Sequence, residues 1–259
     1  MPKPNGSDST GSRQIKSVRH AFDIIEFLDE SGGATLSETA ERLDMPVSTA
    51  HVHLSTLVET GYVVKQSGEY RCGLEFLRIG GRLRDGTALY QAAKPEIDDL
   101  REKTGEHANV VVEESGYSVQ LYKSQSPTSV DDQAPLGDRF HIHSTATGKA
   151  ILAALPADDI DRILAERELV SVTNSTITDP DRLRDELDEI RERGYSINRE
   201  EHFEGVCAVG TAIVSERDDA IGAISVSGPL RRMDSDRIES DLGPELLNKK
   251  NIIELKLRR

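Results

Sequence analysis

Apolar side chains at Val18, Ala21, Phe22, Ile25 and Leu28 share one helical face, and Ser31-Gly32-Gly33 closes the run. Thr35-Leu36-Ser37-Glu38 follows as a capping box, with Thr35 as the cap and Glu38 reaching back. Leu36, Ala40 and Leu43 line a short second helix that Asp44-Met45-Pro46 breaks. A third helix starts near Pro46, turns Val47, Ala50, Leu54, Leu57 and Val58 inward and stops at Gly61. Helix, short helix, three-residue turn and helix is helix-turn-helix spacing. Val63–Gln66 and Glu69–Cys72 read as two strands around Ser67-Gly68, the wing of a winged helix. A small helical bundle with a stray hairpin is the alternative.

Beyond the wing, Leu74, Leu77, Leu83, Leu89, Ile97 and Leu100 lead through a helix predicted over about Thr87–Lys103, with Pro95 inside it. It reads as a plain linker or a dimerisation helix. The second is preferred, because a winged helix usually needs a partner to read two half-sites. Strand and helix patterns then mix. His107–Glu113 and Ser118–Tyr122 are strand-like, and His143–Leu155 becomes an apolar helix behind Ser and Thr caps. Asp158–Glu166 and Pro180–Arg193 are helical, and Tyr195–Ile197 is a short strand. Val206–Val214 and Ala220–Gly228 are long strands joined by a hairpin at Ser215–Asp219. The fold class is α+β, a winged helix-turn-helix joined by a linker helix to a sensor-like domain. The expected divisions are a flexible polar arm at 1–14, the winged helix at 15–83, the linker or dimerisation helix at 84–104 and the sensor domain at 105–259.

The outward face of the third helix carries Ser48, Thr49, His51, Val52, Ser55 and Thr56, which its first turns would bring into the major groove of double-stranded DNA. His53 leans towards the core. No Lys or Arg lies between Leu43 and Val64. Cationic contacts must therefore come from the flanks: Arg13, Lys16 and Arg19 ahead of the first helix, Arg42 before the turn, and Lys65 and Arg71 in the wing.

Charge sharpens this picture. The 259 residues have a net charge of −14, with 9 basic and 11 acidic residues in 1–83 and 23 and 35 in 84–259. Such acidity suits plain solubility or, more sharply, a carboxylate-rich surface adapted to a salty cytoplasm, and the second is preferred. Cys72 and Cys207 form no disulfide framework, which fits a reducing, cytoplasmic compartment. No stretch is long and apolar enough for a membrane span.

Enzyme chemistry finds little footing. Thr147-Gly148-Lys149-Ala150 resembles a phosphate loop, but the first Gly of that motif would fall at His143, and Ala follows the Lys. His141 and His143 lack the further ligands of a metal site, and Ser225 and Ser227 sit in no nucleophile elbow. Neither a metal nor a cofactor is expected.

Four stretches together resemble the IclR-type transcriptional regulators, from about Ile15 to Ile253. They are "ATLSETAERLDMPVSTAHVHLSTLVETGYV", "HIHSTATGKAILAAL", "GYSINREEHFEGVCAVGTAIV" and "IGAISVSGPLRRM". The resemblance implies a GAF-like effector domain, homodimers that often pair into tetramers, and a pocket for a small molecule, commonly an organic or aromatic acid. Carried over singly, its pocket positions are Ala146, Thr147, Asn198, Val206, Ala208, Ser225 and Ser227. Ser225 and Ser227 lie two apart on a strand, so both point to one face. The stretch from Ala146 opens a helix, where backbone N–H groups favour a carboxylate. Asn198 stands where many relatives carry Asp, and Ala208 where some carry Cys, which implies a smaller, less charged pocket. Val52 stands where relatives often carry Arg. The function expected is a DNA-binding regulator whose operator affinity follows a small effector. The alternative is a ligand sensor that uses its winged helix for protein contacts.

Overall fold

The computed structural model describes residues 14–129, 134–214 and 221–258. Arg13, nearly all of the expected arm and the expected hairpin at Ser215–Asp219 lie outside the described residues. The chain divides into two compact units, Met1–Leu83 and Arg84–Arg259.

The first unit runs α1 (Lys16–Ser31), β1 (Ala34–Thr35), α2 (Leu36–Arg42), α3 (Val47–Glu59), β2 (Val63–Gln66), β3 (Glu69–Cys72) and most of α4 (Glu75–Asp85). The capping box forms: Thr35 N–H donates to Glu38 Oε2 at 2.7 Å, and Glu38 N–H to Thr35 Oγ1 at 3.3 Å. Asp44, with φ +48°, makes the turn between α2 and α3. Ser67 and Gly68 both take positive φ, which matches the two-residue turn of a tight hairpin. Strand β1, too short to show a period, adds to the wing in the order β1-β3-β2.

Ile24, Leu28, Leu54, Leu57, Val63 and Tyr70 form the core of this unit. Three residues expected inside are exposed: Val18, Phe22 and Val47. The buried stripe of α1 is centred on Ile24, so Val18 and Phe22 lie beyond its edge. Val47 opens α3 before the helix meets its neighbours.

The second unit is a six-stranded antiparallel sheet in the order β6-β5-β4-β9-β8-β7. The strands are β4 (His107–Glu114), β5 (Tyr117–Ser124), β6 (Arg139–His141), β7 (Ser196–Arg199), β8 (Val206–Val214) and β9 (Ile221–Pro229). One face is covered by α5 (Ala88–Thr104) and by α10 (Gly243–Leu257), which a short turn, α9 (Ser235–Arg237), precedes. There Ala93, Ile97, Leu100, Leu246 and Ile253 pack with Val110, Val209 and Val226. The segment 84–104, expected as a linker or dimerisation helix, is therefore mostly part of this unit's core. Its apolar stripe, with Ala93, Ile97 and Leu100, packs on the sheet. Helix α4, by contrast, has no buried residue along its length.

The other face carries α6 (Ala146–Ala154), α7 (Ala157–Glu166) and α8 (Pro180–Arg193). Their Ile151, Leu152, Ile160, Leu183 and Leu187 pack with Val111 and Ala223. Helix α6 is fitted closely at two glycines, Gly148 against the turn that precedes it and Gly210 on β8 beneath it. A Cβ at Gly148 would collide with the Ile142 carbonyl, and one at Gly210 would stand 2.9 Å from the Ala146 carbonyl carbon. Lys149 is only 1% exposed. Its Nζ donates to Glu201 Oε1 at 2.7 Å, Ile197 O at 2.8 Å and Glu186 Oε1 at 3.2 Å. It therefore ties α6 to α8, β7 and the loop after β7. Burial raises the Glu201 carboxyl above its ordinary pKa despite the attraction of Lys149.

Removing Lys149 leaves two acidic neighbours without this cation. Lys149→Met should lower the unfolding free energy by about 3 kcal/mol at neutral pH, measured by urea unfolding. The loss should shrink as pH falls, beginning above the ordinary carboxylate range, because a protonated Glu201 no longer needs a cation. An unchanged urea midpoint would show the lysine to be dispensable.

Candidate functional site

In the first unit, α3 presents Ser48, His51, Val52, Ser55 and Thr56 as exposed side chains, with Thr49 half-buried. His53 instead sets its ring edge-on against His20, 5.7 Å between centroids. Lys16, Arg19, Arg42, Lys65 and Arg71 are all exposed. The two wing cations are not brought together. Lys65 pairs across the ribbon with Tyr70 and lies over its ring, whereas Arg71 pairs with Val64. Successive strand residues face opposite ways, so Lys65 and Arg71 occupy opposite faces of the wing. Arg71 is also paired with Glu69 at 2.8 Å, an exposed contact that contributes little and that a phosphate can displace.

In the second unit, a cavity opens on the sheet face that α6 covers. It holds about 550 Å³ counting its open mouth. All seven positions carried over from the family resemblance line it: Ala146, Thr147, Asn198, Val206, Ala208, Ser225 and Ser227. Register explains the grouping. Ala208 pairs with Asn198 on one side and Ser227 on the other, and Ser225 pairs with Asn109. Asn198, however, spends its amide on the fold. Its Nδ2 donates to Ser144 O at 2.5 Å, and its Oδ1 accepts from Glu201 N–H at 3.1 Å.

The polar floor has a fixed direction. Gln120 Nε2 lies 2.8 Å from the carbonyl oxygen of Tyr122. A carbonyl only accepts, which sets the Gln120 amide with its NH₂ at that end. The same NH₂ donates to Asn109 Oδ1 at 3.2 Å. Asn109 Nδ2 must then donate onward, to Ser225 Oγ at 3.3 Å and Ser227 Oγ at 3.1 Å. Both hydroxyls accept, so each keeps its own proton to donate. Thr147 Oγ1 lies 3.4 Å from both Ser118 Oγ and Thr145 Oγ1. The first turn of α6 borders the same space through Ala146 and Thr147, while the Gly148 N–H is capped by Thr145 Oγ1 at 3.0 Å. The arrangement offers donors to an acceptor-rich group such as a carboxylate.

Opposite stands an aromatic corner that the sequence reading missed. The His202 ring meets Phe203 edge-on at 4.5 Å and Phe140 at 5.0 Å, and all three line the cavity. Burial, reinforced by His141 and His143, lowers the His202 pKa to about 4. Asn109 and Gln120 were missed too. Each is a buried amide within a strand, a signal present in "HANVVV" and "SVQLY" but unreadable without the strand pairing. Lys149, in the stretch resembling a phosphate loop, is turned into the fold as described above. Among the described residues, no helix is long and apolar enough to cross a membrane.

Known proteins give this arrangement its context. Residues 17–67 match the IclR helix-turn-helix domain, and residues 82–250 match the C-terminal domain of the bacterial transcriptional regulator IclR. The chain is 33% identical to a probable HTH-type transcriptional regulator ArcR of Halobacterium salinarum, over 98% of both chains. The crystal structure of Thermotoga maritima IclR superimposes with a TM-score of 0.82 at 29% identity, covering 94% of this chain and 99% of that one. An IclR homolog from Microbacterium hydrocarbonoxydans, solved in complex with 4-hydroxybenzoate, shares the fold with a TM-score of 0.78 at 24% identity, over 93% of this chain and 99% of that one. The chain belongs to the IclR family: it is a transcriptional regulator with an N-terminal helix-turn-helix and a C-terminal effector-binding domain.

Proposed function

We propose that the effector of this regulator is a small organic acid. Its carboxylate sits at Ser225, Ser227 and the first turn of α6, and its body lies against Phe140 and Phe203. The observation that carries this reading is the direction of the Gln120–Asn109–serine chain, which leaves both hydroxyls as donors. The 4-hydroxybenzoate held by the Microbacterium homolog supports the same class. The cavity is a receptor and not a catalytic centre, as its relatives are regulators.

The protein acts as a homodimer, able to pair into a tetramer. Exposed apolar side chains in the first unit support this: Ile15, Val18 and Phe22 at α1, and Leu74, Leu77 and Leu83 at α4. The effector shifts the balance between arrangements that space two recognition helices differently. Ser48, Thr49, His51 and Ser55 meet base edges and phosphates, and Lys16, Arg19, Arg42, Lys65 and Arg71 supply charge. The net charge of −14 and the Halobacterium relative support a protein working in concentrated salt.

Ligand binding and DNA binding each test this reading. Thermal-shift screening of small carboxylates should find acids that stabilise the protein and change its operator affinity. Ser225→Ala combined with Ser227→Ala should weaken that response by at least roughly tenfold and leave DNA binding of the free protein intact. Stabilisation by matched neutral amides in preference to the acids would contradict it. In gel shifts with its own upstream DNA, affinity should fall only weakly with KCl, and Lys65→Ala should weaken all sequences alike. A steep loss with salt, or relaxation at a single operator position, tells against the assignment.

A further inference from the structure

Ser144 Oγ lies 2.9 Å from the carbonyl oxygen of His141 and 2.9 Å from His202 Nδ1. The carbonyl can only accept, so the one hydroxyl proton of Ser144 points to His141. The second contact is then a hydrogen bond only if His202 Nδ1 carries a proton and donates it. With its pKa lowered to about 4, the ring is neutral near pH 7. A neutral imidazole protonated at Nδ1 has a bare lone pair at Nε2. Among the described residues no hydrogen bond is made to that nitrogen, and the ring that carries it lines the cavity.

The cavity is thus polarised. Hydroxyl donors stand at Ser225 and Ser227, and an acceptor stands at His202 between two phenylalanine rings. We infer that His202 is a specificity-determining residue whose Nε2 accepts a hydrogen bond from a hydroxyl of the effector, remote from its carboxylate. The preferred ligand class is then a hydroxy acid. A neutral hydroxyl suits the flanking phenylalanines better than an ammonium group, which costs more to strip of water. A ligand that fills the corner without a donor leaves Nε2 dehydrated and unpaired, and this is what makes the site selective. The inference rests on the carboxylate reading above.

The test uses the full chain and two ligand pairs, 4-hydroxybenzoate with 4-methoxybenzoate and 4-hydroxybutyrate with 4-methoxybutyrate. A methoxy group keeps the oxygen but cannot donate. Calorimetric titration should show the wild type preferring the hydroxy member of at least one pair by about tenfold. His202→Phe should bring that ratio to about one, while His202→Gln, which keeps an acceptor, retains part of it. A cooperative unfolding transition establishes that each variant is folded. A hydroxy preference that survives in folded His202→Phe overturns the assignment, as does a wild type that binds the acids without preference. A wild type that binds none of the four overturns the carboxylate reading and this inference with it.

Discussion

A carbonyl oxygen has no proton to give, and two such oxygens set the polarity of the cavity proposed for the effector. The Tyr122 carbonyl orients Gln120, which orients Asn109, which leaves Ser225 and Ser227 as donors. The His141 carbonyl orients Ser144, which orients His202 and leaves an acceptor. Both chains start from backbone, so the regular strands and turns themselves decide which way the protons point. The donors come from β9 and the acceptor from the loop after β7. A ligand that bridges them senses the relation between these two parts of the domain, which is what a regulator requires of its effector.

The cavity wall depends in turn on α6 lying flat on the sheet. Gly210 removes the atom that would lift it from β8, Gly148 lets the turn at Ile142–Ser144 close against its start, and Lys149 ties it to Glu186, Glu201 and Ile197. Glu201 directly precedes His202, and its N–H is held by Asn198. The buried ion pair and the aromatic corner therefore share one short loop. A buried ion pair is weak evidence for stability, and placement of that loop is the better account of why it sits here.

Much of this was legible in the sequence. The capping box, the turn with Asp44 and the Ser67-Gly68 hairpin announce the helix-turn-helix and its wing, because each is a local pattern. The runs at Val206 and Ile221 announce paired strands, and Ser225 and Ser227 declare a common face. What one sequence does not reveal is which elements become neighbours. The apolar stripe around Ile97 and Leu100 suits a sheet or a partner helix equally, and the sheet takes it. Asn109 and Gln120 acquire meaning only once Asn109 is seen opposite Ser225. The burial of Lys149 is not legible locally, because the partners it needs, Glu186, Ile197 and Glu201, lie far along the chain. Phe140 belongs to a three-residue strand, too short to show a period.

The most direct test of the cavity's polarity is the acid-to-amide preference of Asn109→Asp. An aspartate at this position accepts from Ser225 and Ser227, consumes their protons and adds a negative charge. For an acid that stabilises the wild type, its matched primary amide serves as the neutral comparison, with both affinities measured by calorimetry. The account predicts that the wild type favours the acid and that Asn109→Asp reverses the preference. A folded Asn109→Asp protein that still favours the acid would contradict it.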